Sequence, residues 1–127
     1  MLRKWTCLGL LTALLVAGSA CDDGSDSGGV VSCDFNGSGM HFLCEEFPAS
    51  FRQDLQQACQ QIASQNGTTV NIAFVDGPCS RVDALGGCNM KASGVEATVW
   101  YYETDSPGTP ADIQSVCKTA GATYVSP

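Results

Sequence analysis

Val95-Glu-Ala-Thr-Val-Trp-Tyr-Tyr-Glu103 decides the fold class. Its β-branched and aromatic side chains and its period of two are those of a half-buried strand. Alternation places Val95, Ala97, Val99 and Tyr101 on one face, and Glu96, Thr98, Trp100 and Tyr102 on the other. Asn89 to Lys91 precede it across Ser93-Gly94, so the two segments read as a hairpin. Upstream, Thr69–Val75 reads as a further strand, turned by Asp76-Gly-Pro78. Cys79 to Cys88, with Gly86-Gly87, reads as a loop. Cys33 to Glu46 reads as a loop or small hairpin anchored by Phe35, Met40, Phe42 and Leu43.

Two helices frame these strands. Ser50 to Gln65 repeats its apolar residues as Phe51, Leu55, Cys59 and Ile62, which is one helical face. Ser50-Phe-Arg-Gln53 fits a capping box, and Asn66-Gly67 supplies the stop. The second helix opens at Thr109-Pro-Ala-Asp112, after Asp105-Ser-Pro-Gly108 has broken the chain. Threonine caps, proline suits the first turn, and aspartate meets the positive end of the helix dipole. Ile113, Val116, Cys117 and Ala120 form its inner face, Gly121 stops it, and Thr123 to Val125 adds an edge strand. The expectation is an α+β fold: a small antiparallel sheet, two helices packed on one face, and about three disulfides. Asp54-Leu-Gln-Gln-Ala-Cys59 echoes Asp112-Ile-Gln-Ser-Val-Cys117. Two amphipathic helices with similar needs account for that echo without a duplication.

The start of the chain has a different character. Met1 to Trp5 is basic, Thr6 to Val16 is apolar, and Ala17 to Ala20 are small. This is the layout of an export signal, and the apolar stretch is too short to span a bilayer. Cys21 follows, so residues 1–20 read as a signal peptide and Cys21 as a lipidated N-terminus, although Gly18 stands where a lipidation motif prefers an aliphatic residue. Ordinary cleavage beside Ala20 is the rival. Asp22 to Gly29 holds no apolar residue, so residues 21–31 read as the lipidated cysteine and a flexible tether, and residues 32–127 as the disulfide-stabilised domain. The acids of the tether lack the spacing and closing glutamate of a calcium-binding loop.

Eight cysteines are present. Cys7 leaves with the signal, and lipid on Cys21 would leave six: Cys33, Cys44, Cys59, Cys79, Cys88 and Cys117. Six pair completely in any of fifteen ways. The favoured set is Cys33–Cys44, Cys59–Cys79 and Cys88–Cys117, which ties each helix to an end of the sheet. No Cys-x-x-Cys occurs, and the gaps suit neither a zinc site nor a redox pair, so oxidation in an exported protein is the natural fate.

The 127 residues carry 13 acids against six bases, and removal of Arg3 and Lys4 with the signal leaves a net charge of −9. Such a chain has no basic cluster for nucleic acid. The lone His41 has no nucleophile elbow nearby, and Glu45-Glu46 and Glu103-Thr-Asp105 read as solvated acids. No catalytic residue, metal site or cofactor is expected. Trp100 and Tyr102 are the candidate binding face, open to a protein or glycan if no helix covers them. Asn36-Gly-Ser38 and Asn66-Gly-Thr68 are chance sequons in a bacterial lipoprotein.

Cys79, Gly87-Cys88, Trp100-Tyr-Tyr102, Cys117, Gly121 and Tyr124 together resemble small cysteine-rich predicted lipoproteins of environmental Gram-negative bacteria, over roughly residues 55–125. That resemblance implies an exported, cysteine-rich domain and carries over no catalytic residue. The expectation is a non-enzymatic, lipid-anchored binding or scaffolding domain of the cell envelope, with the membrane as one partner. The alternative is a small secreted effector or enzyme inhibitor that presents the Cys79 to Cys88 loop.

Overall fold

The hairpin at Ser93-Gly94 forms the second half of the sheet. In the computed structural model, which describes residues 29–38, 40–65, 70–103 and 108–127, strands β4 (Ala84–Ala92) and β5 (Val95–Tyr102) pair across it. Ser93 and Gly94 both have positive φ, 52° and 79°, the twist that matches the flanking strands. The earlier hairpin joins β1 (Val30–Gly37) to β2 (Met40–Pro48), longer than the small hairpin the sequence suggests. Strand β1 already includes Val30 and Val31, which take part in the sheet. Val31 is fully buried.

Two further strands, two helices and a 3-10 turn complete the fold. A 3-10 turn, Ala49–Phe51, leads into helix α1 (Arg52–Gln65), and β3 (Asn71–Val75) follows. Ser50 lies inside that turn and not at the start of the helix, so the capping box expected there does not form. Helix α2 (Pro110–Thr119) starts as its sequence predicts: the Thr109 side chain accepts from the Asp112 N–H, and Pro110 occupies the first turn. Strand β6 (Thr123–Val125) ends the fold.

All strands are antiparallel, in the order β3-β1-β2-β5-β4-β6. This order splits into two units of one design, β1-β2-α1-β3 and β4-β5-α2-β6. In each, a hairpin leads to a helix, and the strand after the helix returns to pair with the first strand. The registers agree as well. Cys33 lies opposite Glu45 and Phe74, while Cys88 lies opposite Val99 and Tyr124. The units meet where Glu45 pairs with Val99, so an approximate two-fold axis normal to the sheet passes through that pair. The two echoing segments, Asp54–Cys59 and Asp112–Cys117, thus occupy equivalent places in two ββαβ units.

Directly paired residues share a face of a sheet. Cys33, Glu45, Val99 and Cys88 thus form one row on one face. The Cys33–Cys59 and Cys88–Cys117 disulfides leave that face for α1 and α2, so both helices cover the same side. Two separate apolar cores result. Val31, Phe47, Leu55 and Ile72 pack with Cys33–Cys59, and Ile113, Leu85, Tyr101 and Tyr124 pack with Cys88–Cys117.

The third disulfide is Cys44–Cys79, on the opposite face. Two of the expected pairings, Cys33–Cys44 and Cys59–Cys79, are therefore wrong, and Cys88–Cys117 is as expected. The reason is the pleat. Cys44 lies opposite Asp34, the residue after Cys33, so Cys33 and Cys44 point to different sides and cannot meet.

The stretch expected as a Cys79–Cys88 loop becomes strand at Ala84. Glycine is needed at residue 86, where φ is 152° and a Cβ would strike the Tyr124 ring.

Candidate functional site

The face opposite the helices carries Trp100 and Tyr102, as alternation along β5 requires. It is not open. Both residues are 3% exposed, because the β3–β4 connection folds back over them. Cys79 staples that connection to Cys44. The Ser32 hydroxyl donates to Gly77 O at 2.8 Å and the Tyr102 hydroxyl donates to Ser80 O at 2.7 Å. Trp100 and Tyr102 thus form a third small core with Cys44 and Cys79, and the expectation of an exposed aromatic binding face is overturned.

Glu46 is the centre of this closure. Its carboxylate accepts from Trp100 Nε1 at 2.9 Å and from the Cys79 N–H at 2.8 Å. Arg81 approaches it at 2.9 Å and lays its guanidinium 3.7 Å from the centre of the Trp100 ring. Paired and hydrogen-bonded in this way, a buried carboxylate is tolerated. Tyr102 titrates late: burial, then the charge of Asp34, push its hydroxyl up to about 12.

His41 stands on the same face. Its Nδ1 lies 3.0 Å from Asp34 Oδ1, and its ring centre is 5.2 Å from that of Tyr102. Asn36 donates to the other Asp34 oxygen at 3.0 Å and accepts from Asn71 at 3.2 Å. This network orients the imidazole and ties β1, β2 and β3 together. All six cysteines of the domain are in disulfides, so none supplies a thiolate there.

Glu45 and Glu46 are neighbours in sequence but point to opposite faces. They are not the pair of solvated acids that the sequence suggests. Glu45 stands on the helix side, on the two-fold axis, beside Val99. It is partly buried and has neither a hydrogen bond nor an ion pair among the described residues. Its oxygens keep contact with solvent, since no buried side-chain oxygen among the described residues is left without a partner. Burial holds its carboxyl above the usual carboxylate range. The Tyr101 hydroxyl is raised too, by burial and then by the charge of Glu45. Leu43, Glu45 and Val99 join neither of the two helix-side cores. They form a strip along the central strands, between the helices.

Comparison with family models, with curated proteins and with solved structures finds no match.

Among the described residues no cluster of three metal-ligating side chains occurs, and no helix is long and apolar enough to cross a membrane. The expected signal peptide and Cys21 lie outside the described residues, as does the tether up to residue 28. Sequence reasoning missed Glu45 because a lone carboxylate next to another acid reads as surface. The one available signal was its place in Leu43-Cys-Glu-Glu-Phe47, where a period of two puts it among apolar neighbours.

Proposed function

We propose that this is an exported protein, held at the cell envelope by lipid on Cys21, whose disulfide-braced domain binds a partner without chemistry of its own. Three disulfides belong to an oxidising compartment, periplasmic or extracellular. The observation that carries the binding role is Glu45. The fold does not need a carboxylate there, since the equivalent position of the second unit is Val99. A side chain that costs desolvation and gains no partner is a feature of sites, where local rules are broken for function. The export signal, the tether and the cysteine parity support the anchor, as does the resemblance to small lipoproteins. Membrane fractionation of a Cys21→Ser variant tests it. The variant is expected in the soluble fraction, and a variant that stays with membranes as the wild type does would overturn the anchor.

One observation favours a second reading, that of a secreted effector or inhibitor. Val82 is 71% exposed on a loop held by Cys79 on one side and by the Arg81–Glu46 pair within it. A stiff loop with a projecting apolar residue binds with little ordering cost. Here Arg81 turns inward onto Trp100, so Val82 and not Arg81 would lead the contact. Intact mass of the mature protein separates the readings, since a released effector carries no acyl chains on Cys21.

A further inference from the structure

Helix α1 rests on β3 and β1, and α2 rests on β4 and β6, so the central strands lie between them. Strands about 4.8 Å apart put the two helix axes roughly 19 Å from each other. Packed helices sit about 8–10 Å apart, so these two cannot close on one another. Allowing about 10 Å for one helix diameter leaves a slot roughly 9 Å wide. That is too narrow for a third helix and wide enough for one extended chain of atoms. Phe47, tilted against Phe51 with ring centres 6.4 Å apart, stands toward one end of the strip, and Tyr101 stands toward the other. The floor is Leu43 and Val99 with one carboxylate between them.

This composition selects its occupant. A purely apolar guest would leave the Glu45 carboxylate desolvated and unpaired, which is costly. A metal ion would have a single carboxylate ligand, and no cluster of three exists among the described residues. A positive group on an apolar stem satisfies both halves of the floor. We propose that the strip between α1 and α2 binds an amphipathic amine, its ammonium group paired with Glu45 and its apolar stem lying along Leu43 and Val99. The net acidic chain draws cations toward the site. Tyr101, one step along β5 from the axis on the same face, adds an aromatic ring beside the charge. This deepens the binding role proposed above and does not depend on the lipid anchor.

The probe is n-hexylamine, titrated into the isotope-labelled exported protein purified from cells and followed through backbone amide shifts. Saturable shifts confined to the amides of Leu43–Glu45 and Val99–Tyr101 are expected. Hexanol and hexanoate should not reproduce them. Glu45→Gln should weaken hexylamine by roughly tenfold or more, the worth of a charge-assisted hydrogen bond, with the Trp100 indole signal unmoved. The absence of saturable shifts would overturn the site. Equal binding of hexanol, or of hexylamine to Glu45→Gln, would overturn the role of the carboxylate. If Glu45→Gln does not fold, the comparison of amine with alcohol on the wild type decides. Failure of the anchor is read separately, in the fractionation of Cys21→Ser, which hexylamine binding does not touch.

Discussion

Trp100 donates its indole N–H to Glu46 at 2.9 Å, and the two residues occupy equivalent positions in the two ββαβ units. What the repeat made alike in place, the sequence made complementary in chemistry. The acid and the indole sit diagonally across the axis and bind each other under the β3–β4 connection. Arg81 completes the arrangement from above. Removing the acid leaves a guanidinium and two N–H donors without their acceptor. Glu46→Ala is therefore expected to cost about 3 kcal/mol, the low end for breaking a buried pair because Arg81 is half-exposed. Trp100→Phe, which keeps an aromatic ring, should cost less, about 1–2 kcal/mol. Urea unfolding followed by circular dichroism measures both. A Glu46→Ala protein as stable as the wild type would refute the role given to this network.

The disulfide pairing gives a second test. Non-reduced peptide mapping should recover Cys33 with Cys59, Cys44 with Cys79 and Cys88 with Cys117. Replacing both Cys44 and Cys79 by serine should destabilise the domain by about 3–4 kcal/mol, given a loop of this length. It should also raise the exposure of Trp100, seen as quenching by acrylamide, because the staple over the indole is gone. Recovery of a Cys33–Cys44 peptide would contradict the strand register.

Glu45 makes a prediction about acid. Its folded-state pKa is raised, so the folded protein holds this proton more tightly than the unfolded chain does. The stability it contributes is present below the ordinary carboxylate range and is lost as pH rises through the raised value. Glu45→Gln should consequently be more stable than the wild type at neutral pH. The difference should shrink as pH falls below the usual glutamate value of 4.5. Paired denaturation curves at neutral and acid pH read this out, and a Gln variant less stable at neutrality would reverse the assignment.

Tyr102 makes the corresponding prediction in alkali. Its hydroxyl donates to Ser80 O and titrates at about 12, against an ordinary value of 10.0. Stability from this group is present below the ordinary value and is lost as pH rises from 10.0 to about 12. Tyr102→Phe should cost about 1 kcal/mol near neutrality by loss of one hydrogen bond. In exchange it should flatten the alkaline limb of the stability curve. Thermal melts across that range for both proteins check it.

The local chemistry of the chain was legible. Alternation from Val95 to Tyr102 named the strand and the face of each side chain. Ser93-Gly94 named the turn, and Thr109-Pro110 named the start of α2. These are contests settled within a few residues, where the backbone's own preferences decide. The start of α1 departs from the capping box expected at Ser50, since Ala49–Phe51 wind as a tighter 3-10 turn ahead of the helix. The repeat was visible only as the echo between Asp54–Cys59 and Asp112–Cys117, because equivalent positions elsewhere, such as Glu45 and Val99, carry different residues.

The sequence by itself determined that the domain is α+β, that its helices each bury one stripe, and that six cysteines would be consumed in pairs. Partnership was decided elsewhere. Whether Cys33 meets Cys44 or Cys59 depends on which side of the pleat each faces, and that follows from a register between strands far apart in the chain. Whether Trp100 is a surface or a core depends on a loop thirty-five residues from its anchor in β2 closing over it. Whether Glu45 is fully solvated or half-buried depends on α1 and α2 standing over the outer strands and leaving the central pair between them. In each case the deciding energy is a long-range contact whose loop entropy and desolvation are fixed only when the sheet has assembled.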